Sequence, residues 1–111
     1  NCNLACRSCS PHSSTFWTKH LIDNNLLPKT TKIPTSRADL MIEILQTLDL
    51  SNLELVLFCG GETLLGNGYW RVAEVIADLV PNAKQQLTMS FQSNGTQTID
   101  KKHYNYCNKI R

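Results

Sequence analysis

No stretch of this 111-residue sequence approaches the roughly 20 consecutive apolar residues that a bilayer-spanning helix needs, and its start lacks the basic and apolar regions of a signal peptide. A soluble, cytoplasmic protein is expected. Blocks of like charge are also missing. The net charge of +2 is scattered along the chain, which suggests neither a nucleic-acid tail nor a membrane-surface helix. Internal repeats and low-complexity tracts are absent, and the length suits one compact unit. The cysteines do not form a disulfide framework: there are five, an odd number, with Cys2, Cys6 and Cys9 crowded at the start and Cys59 and Cys107 far away. In a reducing compartment, thiols clustered in this way suit a metal site better than bridges. Both ends read as cut, since residue 1 is Asn and the residues up to Arg111 look like an interrupted helix. A fragment of a longer protein is expected.

What is present alternates between helical and strand patterns. Residues 1–35 read as irregular, punctuated by Pro28 and Pro34, with a short helix over 14–24. A clearer helix is predicted from Ser36, whose hydroxyl can cap free N–H groups, to about 49–52, with Met41, Ile44, Leu45 and Leu48 on its buried face. Leu53 to Phe58 is short and largely apolar, the pattern of a strand covered on both sides, and Gly60-Gly61 closes it. A helix over about 68–80 carries Tyr69, Ala73, Ile76 and Val80 on one stripe before Pro81 stops it. The next strand, 86–91, alternates Leu87, Met89 and Phe91 with Gln86, Thr88 and Ser90, then breaks at Ser93-Asn94-Gly95-Thr96. A last helix from about Ile99 lines up His103, Cys107 and Ile110. This order implies an α/β fold with parallel strands joined by helical crossovers, and a further strand feeding the cysteine loop.

Cys2, Cys6 and Cys9 have the spacing C-x3-C-x2-C. Three thiolates this close in sequence can converge on one metal centre, and soft sulfur ligands favour iron–sulfur clusters, zinc or copper(I). In a cubane cluster three local cysteines leave one iron without a protein ligand, an open position of the kind that catalytic metal sites keep. The alternative is a zinc site of three cysteines and a histidine, for which His12 is near enough in sequence. The spacing alone leaves both open.

Taken in order, Asn1-Cys2-Asn3-Leu4-Ala5-Cys6-Arg7-Ser8-Cys9, Gly60-Gly61-Glu62-Thr63 and Ser93-Asn94-Gly95-Thr96 resemble the cluster loop, the Gly-Gly-Glu-Pro motif and the Thr-Asn-Gly-Thr segment of the radical S-adenosylmethionine (SAM) superfamily. The resemblance implies a core domain over 1–111 that forms the first half of a partial (β/α)6 TIM-like barrel, its motif loops at the C-terminal strand ends. It implies that Cys2, Cys6 and Cys9 bind three irons of a [4Fe-4S] cluster and that SAM chelates the fourth. Gly60, Gly61 and Glu62 would face the methionine ammonium, with Ser93 and Asn94 contacting SAM from the next strand end. Glycines let backbone approach a ligand closely, and a carboxylate complements an ammonium. The implied activity is reductive cleavage of SAM to a 5′-deoxyadenosyl radical that abstracts hydrogen from a substrate, with flavodoxin or ferredoxin as reductant. The loop style is similar to members that carry further C-terminal clusters and modify peptides or proteins. The competing class is a non-enzymatic iron–sulfur electron-transfer or zinc-binding module.

Two residues depart from the family pattern. Ser8 stands where an aromatic residue often packs near the adenine, and Thr63 replaces the common Pro. Outside the motifs, blander roles are expected. Cys59 and Cys107 read as small buried hydrophobes, and His12, His20 and His103 as loop or surface residues. Trp17 and Trp70 either pack on the core or line a substrate pocket. Arg7 either tunes the cluster potential or faces solvent.

Overall fold

The computed structural model describes residues 2–4, 6, 9–33, 37–99 and 101. The expectations for Arg7, Ser8, the Ser36 cap, His103, Cys107 and Ile110 lie outside the described residues. The elements are α1 (Thr15–Asp23), α2 (Ala38–Leu45), β1 (Leu55–Phe58), α3 (Gly68–Leu79), a short α4 (Ala83–Gln86) and β2 (Thr88–Phe91). Among the described residues no helix is long and apolar enough to cross a membrane.

Ser14 starts α1 by accepting the Trp17 N–H on its hydroxyl. The helix stops at Asn24 because Asn25 adopts a left-handed conformation at φ 56°, which Asn tolerates better than most residues. Leu26 N–H then bonds the Leu21 carbonyl and Asn25 N–H the Ile22 carbonyl, the paired bonds of a Schellman ending.

β1 and β2 pair in parallel, with Leu55 opposite Thr88, Val56 opposite Met89, Leu57 opposite Ser90 and Phe58 opposite Phe91. Parallel neighbours need a crossover, and α3 with α4 supplies it. Val56, Phe58, Met89 and Phe91 share the sheet face that meets α3, where Val72, Ala73, Ile76, Val80, Ala83 and Leu87 complete the core. Phe58 stacks on Phe91 (ring centroids 4.7 Å apart), and Trp70 stacks on Phe91 (4.6 Å). Each such pair contributes about 0.5–1.5 kcal/mol beyond its area burial.

Three expectations need correction. Among the described residues β1 is covered on one face: Leu55 and Leu57 are 62% and 60% exposed, because α2 and α3 pack on the Val56/Phe58 side. Helix α2 ends at Leu45, short of the expected 49–52, and of the expected stripe only Leu45 packs against the core. Ala38, Ile42 and Leu45 pack against the core, whereas Met41, Ile44 and Leu48 are about half exposed. Its N-cap is Arg37, which makes no side-chain cap bond. Cys59 is exposed rather than buried, since Phe58 points inward and the next residue turns out where the strand ends. The stripe on α3 and the alternation of β2 are found as the patterns indicate. Helix α4 has no counterpart among the expected elements.

Candidate metal and cofactor site

The loop after β1 carries Gly60 to Thr63, and the loop after β2 carries Ser93 to Thr96, so parallel pairing brings both to the same end of the sheet. Gly60 sits at φ +123°, a conformation open to glycine, and an added Cβ would lie 3.3 Å from the Tyr69 hydroxyl. That hydroxyl donates to the Cys59 carbonyl at 3.2 Å, which holds α3 against the start of the loop.

Glu62 is fully buried, contrary to the exposed position an isolated Gly-Gly-Glu turn suggests. Its Oε1 accepts the Leu64 N–H and the Ser93 hydroxyl, both at 2.9 Å, and its Oε2 accepts the Asn94 N–H at 2.8 Å. Burial alone raises the carboxyl pKa, but these three donors outweigh it and hold the group below its ordinary 4.5. Thr63, also buried, donates its hydroxyl to the Gln92 carbonyl at 2.8 Å. Proline could not make this bond, so the departure at this position acquires a structural role.

The cysteine loop reaches the same end. The Asn94 amide Nδ2 donates to Cys2 Sγ at 3.7 Å and to Asn3 Oδ1 at 3.2 Å. The Asn3 amide in turn donates to the Thr96 hydroxyl at 2.8 Å. Three segments separated by tens of residues therefore meet through Asn94: Glu62 on its main chain, Cys2 and Asn3 on its side chain.

On its other side the loop is tied to α1. Thr15 Oγ1 accepts the Cys2 N–H at 3.3 Å and donates to the Cys2 carbonyl at 3.0 Å, while Ser14 donates to the Leu4 carbonyl at 2.9 Å. Trp17 Nε1 donates to the Cys6 carbonyl at 2.9 Å, and Thr18 donates to the Pro11 carbonyl at 2.5 Å. Ser14 and Thr18 are buried by these contacts. Sequence reasoning located α1 but missed that Ser14, Thr15, Trp17 and Thr18 bind the loop, and it gave no role to Asn3 or Thr96. The only available signal was the run of hydroxyl residues ahead of the helix.

The thiols of Cys2, Cys6 and Cys9 are free, with Cys2 buried and the other two exposed. Among the described residues no three His, Cys, Asp or Glu side chains are gathered closely enough to hold a metal ion. The donor chemistry nonetheless suits a soft-metal centre: three thiols lie on one loop, and an amide N–H is directed at one sulfur, as a thiolate ligand favours. Exposed His12 and His20 stand outside this network. Trp70 belongs to the core, as one of its two expected roles had it. A cavity of about 750 Å³ between α2, β1 and α3 is lined mainly by apolar side chains and includes no residue of the three motif segments. No protein-family model matches the sequence, and no curated protein or solved structure matches it either.

Proposed function

We propose that this chain is part of the core of a radical SAM enzyme, in which Cys2, Cys6 and Cys9 hold a [4Fe-4S] cluster and the loops after β1 and β2 receive SAM. The observation that carries the reading is the convergence on Asn94 of the cysteine loop and the Gly-Gly-Glu loop, with the Ser-Asn-Gly-Thr loop contributing Asn94 itself. Each of these motifs is weak alone, and nothing in their sequence spacing requires them to touch. Two parallel strands with their crossover on one face, and polar loops at their C-terminal ends, are also the unit from which a partial (β/α)6 barrel is built.

When bound, the cluster would supply the electron that cleaves the SAM sulfonium bond to C5′, and the resulting radical would take hydrogen from a substrate, here a peptide or protein. The chain's own residues bind and orient. Gly60 and Gly61 carry no side chain, so their carbonyls are open to an ammonium at the strand end. Glu62 offers negative charge there, although three of its roughly four lone-pair positions already hold the loops together. The Ser93 hydroxyl is committed to Glu62, which leaves the Asn94 segment as the face of β2's loop nearest the cysteines. A cytoplasmic reductant of the flavodoxin or ferredoxin kind completes the proposal.

Anaerobic reconstitution tests it. About four irons per chain, together with a change in the electron paramagnetic resonance spectrum on adding SAM, is the expected result, because only an iron lacking a protein ligand takes an exogenous one. Stoichiometric zinc without iron, or an iron cluster indifferent to SAM, would replace the enzyme with the binding or electron-transfer module.

A further inference from the structure

Within the polar network one side chain is saturated in a way that fixes its direction. The Asn94 amide has two N–H groups and a carbonyl with two acceptor positions. Nδ2 donates to Cys2 Sγ (3.7 Å) and Asn3 Oδ1 (3.2 Å), and Oδ1 accepts the Thr96 N–H (3.0 Å) and the Thr96 hydroxyl (2.7 Å). Rotating the amide by half a turn would set its oxygen against Asn3 Oδ1 and its NH2 against the Thr96 N–H. Only one orientation satisfies the site, and that orientation aims an N–H at sulfur.

The backbone beneath it is equally constrained. Asn94 N–H is bound to the buried Glu62 carboxylate, and Ser93 Oγ both donates to Glu62 and accepts the Gly95 N–H at 3.0 Å. Cys2 is also held on its main chain by Thr15. The consequence is an asymmetry inside the cysteine loop. Cys2 is 8% exposed and anchored from two sides, whereas the thiols of Cys6 and Cys9 are exposed.

We propose that Asn94 is a positioning residue for Cys2: held by the buried Glu62 carboxylate, its amide seats the Cys2 thiol before any metal arrives and leaves Cys6 and Cys9 open as the thiols that meet the metal first. Its effect on a bound cluster rests on the radical SAM reading, but the seating of Cys2 does not. An N–H donated to a ligating sulfur draws charge from it and favours the reduced cluster, so the same contact would raise the cluster's potential.

Residue-by-residue alkylation of the reduced, metal-free protein, followed by mass spectrometry, tests the seating. Exposed Cys59 serves as the internal reference. Cys2 is expected to react more slowly than Cys6, Cys9 and Cys59. Asn94→Ala should speed Cys2 alone by about fivefold, the change that loss of one ordinary hydrogen bond makes in a local opening equilibrium. Asn94→Leu retains the main-chain bond to Glu62 and the side-chain bulk but loses the donor to sulfur without adding charge, so it should resemble Asn94→Ala at Cys2. Equal rates for all four of these wild-type thiols would overturn the proposal, as would an Asn94→Leu protein that still protects Cys2. So would an Asn94→Ala protein in which every thiol speeds up together, which signals general loosening. In reconstituted protein, Asn94→Ala should also lower the midpoint potential, and an unchanged potential in a fully loaded cluster would remove the electronic part. Failure to load any cluster while Cys2 protection follows Asn94 would instead refute the radical SAM reading and leave the seating intact.

Discussion

Around Phe91 three aromatic rings pack against one another, with Phe58 on one side and Trp70 on the other. Just past the C-terminal ends of the two strands, around Glu62, the order comes from hydrogen bonds to one carboxylate. The body is held by the area its side chains remove from water, a non-directional force that tolerates small shifts. The rim at the strand ends is held by directional bonds that are correct in one arrangement and costly in others. The first region fixes where the strands end; the second fixes which atoms face each other there.

Breaking the body should have the largest effect. Trp70→Ala removes a side chain that is 2% exposed and stacked on Phe91, and is expected to destabilise the protein by about 3–5 kcal/mol in chemical denaturation. Because β2 leads directly into Ser93 and Asn94, Cys2 protection should fall with it. A loss under about 1 kcal/mol would mean that the rim, rather than the core, holds β2 in place.

Glu62→Gln sharpens the comparison from the other side. It sets an amide NH2 among three donors and is expected to cost about 1–3 kcal/mol, concentrated in hydrogen exchange at Leu64 and Asn94. Acid should act at the same place. Since the Glu62 carboxyl lies below its ordinary 4.5 in the folded chain, the stability it contributes is fully present above that value. It is lost as pH falls through the lower folded value. Protection at Asn94 should therefore persist on acidification to about 4.5 and disappear below it, a dependence absent in Glu62→Gln.

The smallest effect is expected at the Arg71–Asp39 pair, which joins α3 to α2 at 2.6 Å with side chains 50% and 80% exposed. Solvent screens such pairs, and Arg71→Ala should change stability by less than about 1 kcal/mol. A larger loss would show that α2 relies on polar clamping as the rim does.

Much of the body was legible because its patterns have one solution. The Tyr69, Ala73, Ile76 and Val80 stripe and the Leu87, Met89, Phe91 alternation each name a single buried face, and those faces are buried or partly buried. Helix α2 was not legible in this way. Its apolar residues form two overlapping stripes, and packing against α3 selected Ala38 and Ile42, together with the expected Leu45, over Met41 and Ile44. Cys59 was misread for a related reason, since the apolar run ahead of it does not show where the strand stops. In the candidate site the motif residues were legible as types and order, but the part played by Asn3, Thr63, Thr96 and the hydroxyls of α1 was not. These are common loop residues whose partners lie far away in sequence.

The order of residues by itself determined the alternation of helix and strand, the parallel pairing it implies, and three short polar motifs at strand ends, because periodicity and turn chemistry act over a few neighbours. Only the tertiary structure decided that Glu62 is buried, that Asn94 points its amide at Cys2, and that one cysteine of the loop is seated while two are open. Those outcomes depend on contacts that include hydrogen bonds spanning 31 to 92 residues, and no local rule assigns a partner at that range.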